Sequence, residues 1–221
     1  MSIWEYMQIY GARLASGTAI TCAQFLLAAL IAIVVALLAG LGKLSQNWLI
    51  RGISVVYIEI FRGTSLLVQL YWIFFVLPLF GLTLPKFVAG FVSVGLNVGS
   101  YGAELVRGAI QSVPKGQWEA AYALSMSPAK RMRRIILPQA IGIMLPPWGN
   151  LLIELLKGTA LVSLISVADL MFQARQINAS TFLSAQSFGI ALVIYYILAR
   201  FFITPFMRRM ERAVARRLGK A

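Results

Sequence analysis

Histidine is absent from this sequence, cysteine occurs once, and only 7 residues are acidic. A single thiol excludes an intrachain disulfide and a cysteine metal cluster. That thiol, Cys22, lies inside an apolar run and reads as a small packing residue. So few acidic side chains, with no imidazole, leave no clustered constellation for a membrane enzyme. Phosphate-cradling loops are missing too: Gly40-Leu41-Gly42-Lys43 lacks both the spacing and the Ser/Thr of one, so no ATP or other cofactor site is expected in this chain. Charge is scarce altogether, at 12% of residues, where a soluble domain carries about 25%. What is present in abundance is apolar surface, 60% of the chain, which must be buried in lipid. The net charge of +13 could suggest nucleic acid. The basic residues, however, sit in gaps between apolar runs and at the C-terminus, as in a membrane protein, and no nucleic-acid partner is expected.

Stretches near the roughly 20 residues that a spanning helix needs occur five times. They begin at Thr18–Leu41, Gly63–Pro85, Phe87–Ala103, Ile135–Ile153 and Thr181–Ala199. Allowing for extension at their polar ends, the expected spans are residues 18–41, 57–84, 87–110, 135–156 and 181–203. They are joined by a loop at 111–134 and followed by a basic tail at 207–221. Gly158–Ala168 is apolar but too short to cross alone, and reads as a continuation of the fourth span beyond a break, or a re-entrant piece. An odd number of spans puts Lys43, Arg51, the basic residues of 115–134 and those of the tail on one side, leaving Arg13, Lys86 and Arg175 on the other. The positive-inside rule then places the N-terminus outside and the C-terminus in the cytoplasm. The first span does not read as a cleaved signal, because its core is too long and its preceding segment lacks a positive flank.

Three carboxylates in or beside these spans have a basic residue three positions on: Glu59 with Arg62, Glu104 with Arg107, and Glu154 with Lys157. Residues three apart share a helix face, so each pair is expected to neutralise itself. The first two read as pairs at the cytoplasmic ends of their spans. Glu154/Lys157 interrupts an apolar stretch from Ile135 to Ala168 and is followed by Gly158-Thr159. A helix break there would line a cavity, which makes the segment a pathway candidate. Gly95, Gly99 and Ala103 recur every four residues and suit close helix packing. Pro138, Pro146 and Pro147 are expected to kink or restart the fourth segment.

The loop at 111–134 is too structured to be a linker. Pro114 fits a first helical turn, and Gln117–Leu124 is rich in helix formers. Ser125-Met126-Ser127-Pro128 reads as a turn, with Ser127 as N-cap and Pro128 opening a second short helix through Arg134. Such an amphipathic pair can lie on lipid or dock to a protein.

Glu119-Ala120-Ala121, three residues, Ser125, nine residues and Ile135-x-Leu137-Pro138 resemble the EAA loop of bacterial ABC-importer permeases, with serine at 125 where the family has glycine. Tyr57-Ile58-Glu59-Ile60-Phe61-Arg62-Gly63-Thr64 with Leu66-Leu67-Val68-Gln69 resembles the polar-amino-acid (histidine/glutamine/arginine) subfamily. So does Tyr101-Gly102-Ala103-Glu104 with Arg107-Gly108-Ala109-Ile110. The resemblance covers nearly the whole chain. It implies an all-α, five-span membrane protein of the type I ABC importer permease fold, in the bacterial cytoplasmic (inner) membrane. Its implied partners are a second permease (homo- or heterodimer), a cytoplasmic ABC ATPase dimer that holds ATP and Mg, and an extracytoplasmic solute-binding protein. The coupling residues it implies are Glu119, Ala120, Ala121 and Ser125, flanked by Trp118 and Tyr122. Pathway candidates are Glu154, Lys157, Gly158 and Thr159, with Tyr101 and Glu104. Many members have Lys-Asp-Thr-Ser-Leu where this chain has Lys157-Gly158-Thr159-Ala160-Leu161, a change that resembles the ectoine/hydroxyectoine branch. The competing reading is a self-contained, ion-coupled secondary transporter. Such proteins carry internal repeats and about twice as many spans, and no repeat is visible here.

Overall fold

The computed structural model describes residues 2–217 and contains no strand among them. The last basic residue of the tail, Lys220, lies outside the described residues. Helix α1 runs unbroken from Ile3 to Lys43 and opens with a capping box between Ser2 and Glu5. At 1.5 Å per residue its 41 residues reach about 60 Å, twice a hydrocarbon core of about 30 Å. The sequence pattern assigned only residues 18–41 to this helix. The preceding turns are helical because they have their own packing: Tyr6 is buried and donates to the Ser187 hydroxyl at 2.9 Å, and Arg13 reaches Gln173 at 3.2 Å.

Helix α2 (Trp48–Gly63) starts at Asn47, whose side chain accepts from the Leu49 and Ile50 amides. The chain then bends by 108° at Thr64-Ser65 into α3 (Leu66–Tyr71), which continues through a π turn (Trp72–Val76) and a 3-10 turn (Leu77–Phe80). The second expected span is therefore a broken one. Helix α4 (Lys86–Gln111) follows, then α5 (Lys115–Ala123) and α6 (Pro128–Arg131). Helix α6 passes through a π turn (Met132–Ile136) into α7 (Leu137–Thr159). The expected second short helix of the loop is thus the base of the fourth long helix and not a separate piece. Pro138 falls on the second residue of α7, just beyond the π turn, where the local widening accommodates its ring. The break expected at Gly158 is not there either. The helix continues to Thr159, tightens into a 3-10 turn over Ala160–Ile165, and stops at Ser166, which adopts φ 60°. Helix α8 (Leu170–Thr181) and α9 (Ser184–Ile197) follow, and a π turn (Leu198–Ile203) carries α9 into α10 (Thr204–Arg217).

Small residues align the centre of the bundle. On α1 Ala28, Ala32 and Ala36 are fully buried, and they face Gly95, Gly99 and Gly102 of α4 in the same order. These two helices therefore run parallel, and the bent α2–α3 segment must carry the chain back between them. Helix α7 meets α4 in the reverse order, Trp148 at Gly102 and Gly158 at Val94. The α9–α10 run packs back along α7, with Met207 at Gly149. Five helical runs thus alternate in direction. By length and composition three runs can cross a membrane, and a fourth if the bent pair counts as one span. Helix α4 is less apolar because it lies at the centre, where Ser93, Asn97 and Ser100 are buried in protein and not in lipid.

A Cβ at Gly95 would come within 2.9 Å of the Ala28 carbonyl oxygen and 2.8 Å of Ile31 Cβ. Gly95→Leu is accordingly expected to destabilise the protein by about 2 kcal/mol. Thermal unfolding in detergent checks this; an unchanged midpoint would mean that α1 and α4 separate without cost.

Candidate functional site

Two regions carry the chemistry that the sequence singles out. The first is the α5–α6 corner, at the end of the bundle where α1 and α4 finish. Helix α5 ends in a two-bond cap: the Ser125 amide donates to Tyr122 O at 2.8 Å, and the Met126 amide to Ala121 O at 3.1 Å. This geometry needs a left-handed residue after the helix, and Ser125 supplies it at φ 52°. The turn that glycine would make is therefore kept, at the cost of holding a Cβ in the left-handed region. Ser125→Gly is expected to raise stability by about 1 kcal/mol without changing the loop, as read by the unfolding midpoint. A lower midpoint would show that the serine hydroxyl matters.

Helix α5 is fastened to the base of α7 by Arg131. Its guanidinium lies 3.9 Å from the Tyr122 ring centroid and 5.6 Å from that of Trp118, and its Nε makes no hydrogen bond among the described residues. Gln139 adds a bond to Gln117 at 3.1 Å. Ala121 is buried on this inner side, with Trp118 packed beside Ile136 and Ala140. The exposed row is Gly116, Glu119, Ala120 and Ala123, at helical spacing, with Tyr122 and Leu124 at its edge. Of the two alanines expected to admit a partner closely, only Ala120 faces outward; Ala121 admits Arg131's helix instead.

The second region surrounds the α2–α3 break. Thr64 Oγ1 donates to Ile60 O at 2.7 Å, and Gln69 Nε2 donates to Phe61 O at 2.9 Å and to Thr64 Oγ1 at 2.7 Å. Asn97 of α4 donates to Gln69 Oε1 at 3.0 Å and to Phe61 O at 3.1 Å. These amides satisfy backbone groups that the bend frees. Leu66, the first residue beyond the break, faces Gly158. Glu154 and Lys157 pair at 2.7 Å on the exposed side of α7 while Leu155 and Leu156 are buried behind them. Thr159 is buried and its hydroxyl donates to Leu156 O at 2.6 Å.

Of the other two carboxylates, Glu59 departs from expectation. Arg62 lies over the Tyr101 ring at 5.5 Å, and no ion pair joins it to Glu59 among the described residues. Both sit in the last turns of α2, about 20 Å of helix rise from Trp48 and next to the bend, and not at the start of a helix. Glu104 pairs with Arg107 at 2.8 Å as expected, and also with Lys43 of α1 at 2.6 Å. Glu104 thus ties the ends of α1 and α4 together. Glu154 lies six residues to one side of the Gly102–Trp148 crossing and Glu104 two residues to the other, so about 12 Å of rise separates them. The pathway candidates form two levels and not one cluster.

Charge within the apolar runs does not mark the uncharged amides Gln69, Asn97 and the buried Gln24, which donates to Phe87 O at 2.9 Å. Nor does it mark Asp169. This fully buried carboxylate caps α8 through the Phe172 amide at 2.8 Å and lies 3.4 Å from the Tyr195 hydroxyl. Burial pushes its carboxyl up to about 6, against the pull of the Phe172 and Met171 amides. Its sequence neighbours, Val167-Ala168 and Leu170-Met171, carry no motif that marks it.

The arrangement has known counterparts over almost its full length. Residues 8–216 match the family described as binding-protein-dependent transport system inner membrane component. The probable amino-acid ABC transporter permease y4tF of Sinorhizobium fredii is 47% identical over 194 residues, 81% of this chain and 78% of that one. The L-cystine transport system permease TcyB of Bacillus subtilis is 35% identical over 218 residues, 98% and 93% of the two chains. A crystal structure of an amino acid ABC transporter with histidines superposes with a TM-score of 0.87 at 37% identity, covering 96% of this chain and 99% of that one. The all-helical bundle with its α5–α6 corner has the fold of these transporters' membrane subunits, and the chain belongs to the family of inner membrane components of binding-protein-dependent transport systems.

Proposed function

We propose that this chain is the permease subunit of an ATP-binding-cassette importer and forms half of the translocation pathway for a polar amino acid or a similar zwitterion. The observation that carries the reading is the full-length likeness to an amino acid ABC transporter, at 37% identity and a TM-score of 0.87. In this reading each of the five alternating runs crosses the bacterial inner membrane. The N-terminus lies outside and the C-terminus in the cytoplasm, as the basic residues at the Lys43, Gln111 and Arg217 ends favour. A second permease completes the pathway, a binding protein delivers solute to the outer end, and a separate ATPase dimer meets the α5 row and holds the nucleotide. The subunit itself has no chemical step to catalyse.

The α2–α3 break with Gly158 and the Glu154/Lys157 pair is the segment that supports a solute pathway best. It joins a broken helix, buried amides and charges of both signs. Gly158 is where selectivity would be tuned. An added Cβ meets only Leu66 Cδ2 at 3.1 Å, the end of a flexible side chain, and Val94 Cγ1 at 3.7 Å. Gly158→Asp is therefore expected to fold. Proteoliposomes holding the assembled complex and its binding protein would be assayed for uptake of glutamine, cystine, arginine, histidine and ectoine. ATP-dependent uptake of one of the zwitterions is expected, with a shift toward arginine in Gly158→Asp because opposite charges attract strongly where water is scarce. An unchanged preference at normal rates would make residue 158 structural. Uptake driven by an ion gradient without any ATPase would favour a secondary transporter.

A further inference from the structure

We propose that the outward face of α10 binds the headgroup of an anionic phospholipid in the cytoplasmic leaflet. The inference rests on the membrane orientation given above. The α9–α10 run is one continuous helical unit of 34 residues, Ser184–Arg217. A hydrocarbon core of about 30 Å takes up about 20 residues, Ser184 to Ile203. The next turns of the helix therefore stand at headgroup level. One side of those turns, Ile203 and Met207, is buried against Leu145, Leu152 and Leu156 of α7. The other side forms an open groove of about 370 Å³, whose lining includes Arg200, Phe201, Pro205, Arg208, Arg209 and Arg212. These positions recur at helical spacing, so the groove is a property of one helix face.

Its chemistry divides along its length. Phe201 is 65% exposed, and with Pro205 it gives an apolar floor at the membrane edge. Arg208, Arg209 and Arg212 lie beyond it, and none of them forms an ion pair among the described residues. Arg212 Nε donates to Arg208 O at 3.2 Å, which holds its guanidinium against the preceding turn of the same helix. Guanidinium groups match phosphate oxygens in pairs. An apolar stretch followed by unpaired guanidinium groups suits a molecule with acyl chains and a phosphate that carries net negative charge. A zwitterionic headgroup lacks that net charge. Juxtamembrane basic clusters are the usual receivers of anionic lipid.

The test uses the full chain in mixed micelles, with native mass spectrometry counting retained phosphatidylglycerol against phosphatidylcholine. Wild type is expected to retain phosphatidylglycerol selectively. Arg212→Ala is expected to lower that retention about fivefold, and Arg208→Ala with Arg212→Ala about thirtyfold. Arg208→Lys with Arg212→Lys keeps the charge and is expected to restore most of it. Arg175→Ala, at the opposite end of the bundle, is expected to leave retention unchanged. Equal retention of the two lipids by wild type, or unaltered selectivity in the double alanine variant, would overturn the proposal. Thiol labelling of Ala215→Cys in spheroplasts, with an impermeant reagent, separates this from the orientation on which it rests. Protection supports the cytoplasmic leaflet. Labelling from outside, with selectivity intact, would overturn the leaflet assignment and the topology and leave a lipid site in the outer leaflet.

Discussion

Glu119→Lys and Ala120→Trp are expected to leave the protein inserted in the membrane while weakening its hold on the ATPase by about 2 kcal/mol, roughly thirtyfold in affinity. Both side chains stand on the exposed row of α5, away from the Arg131 clamp, so neither change reaches the interior of this chain. Lysine inverts the only acidic side chain on that row, and tryptophan fills the small surface at Ala120. Co-purification of the complex gives the first readout. Hydrolysis in proteoliposomes, stimulated by loaded binding protein, gives the second. Association and stimulated hydrolysis at wild-type levels in both variants would remove α5 as the coupling contact. Ala121 is unsuited to this experiment. It is 2% exposed, and a bulky replacement there would break the α5–α7 packing and lose activity for a reason unrelated to the partner.

Gln69→Leu is expected to destabilise the protein by about 3 kcal/mol, the largest single loss of stability foreseen. The glutamine amide serves Phe61 O and the Thr64 hydroxyl and accepts from Asn97. A leucine of similar volume leaves Thr64 and Asn97 without those partners, in a place with little water to replace them. Asn97→Leu should cost less, because Gln69 still reaches Phe61 O. Thermal unfolding in detergent orders the two variants. The double variant should fall well short of the sum, since both act on one network. Two small, additive shifts would mean that the bend at Thr64-Ser65 is held by packing alone.

Much of the architecture was legible because hydropathy and charge act along the chain. The α9 span, the base of α7 and the helical part of 115–124 follow from apolar runs, Pro128 and helix formers, whereas the helical course of 204–217 does not. What was not legible depends on neighbours distant in sequence. Residues 3–17 precede the first expected span, yet Tyr6 and Leu14 are buried against Leu170 and Ile177 and extend α1 by four turns. Gly158-Thr159 looked like a break, but Leu66 and Val94 support the helix through it. Glu59 and Arg62 had the spacing of a pair, but Tyr101 offers Arg62 a ring in competition. At the candidate site the exposed row of α5 could not be told from its buried row until Arg131 was placed, because α5 is small and mixed on every side. Asp169 was passed over because a buried cap on the turn before α8 has no local pattern.

The continuity of Pro128–Ile165 has a mechanical consequence. Its 38 residues make one helical run about 57 Å long, in which Pro146 and Pro147 each leave out one backbone hydrogen bond. Arg131 pins α5 to the lower end, and the 3-10 turn facing Val94 and Leu66 forms the upper end. Force applied to α5 is then a torque on the whole rod, with the close Gly102–Trp148 contact as its fulcrum. A tilt of a few degrees about that fulcrum swings the tip, about 25 Å away, by about 1–2 Å in the opposite sense, so movements at the two ends of the rod are a single displacement.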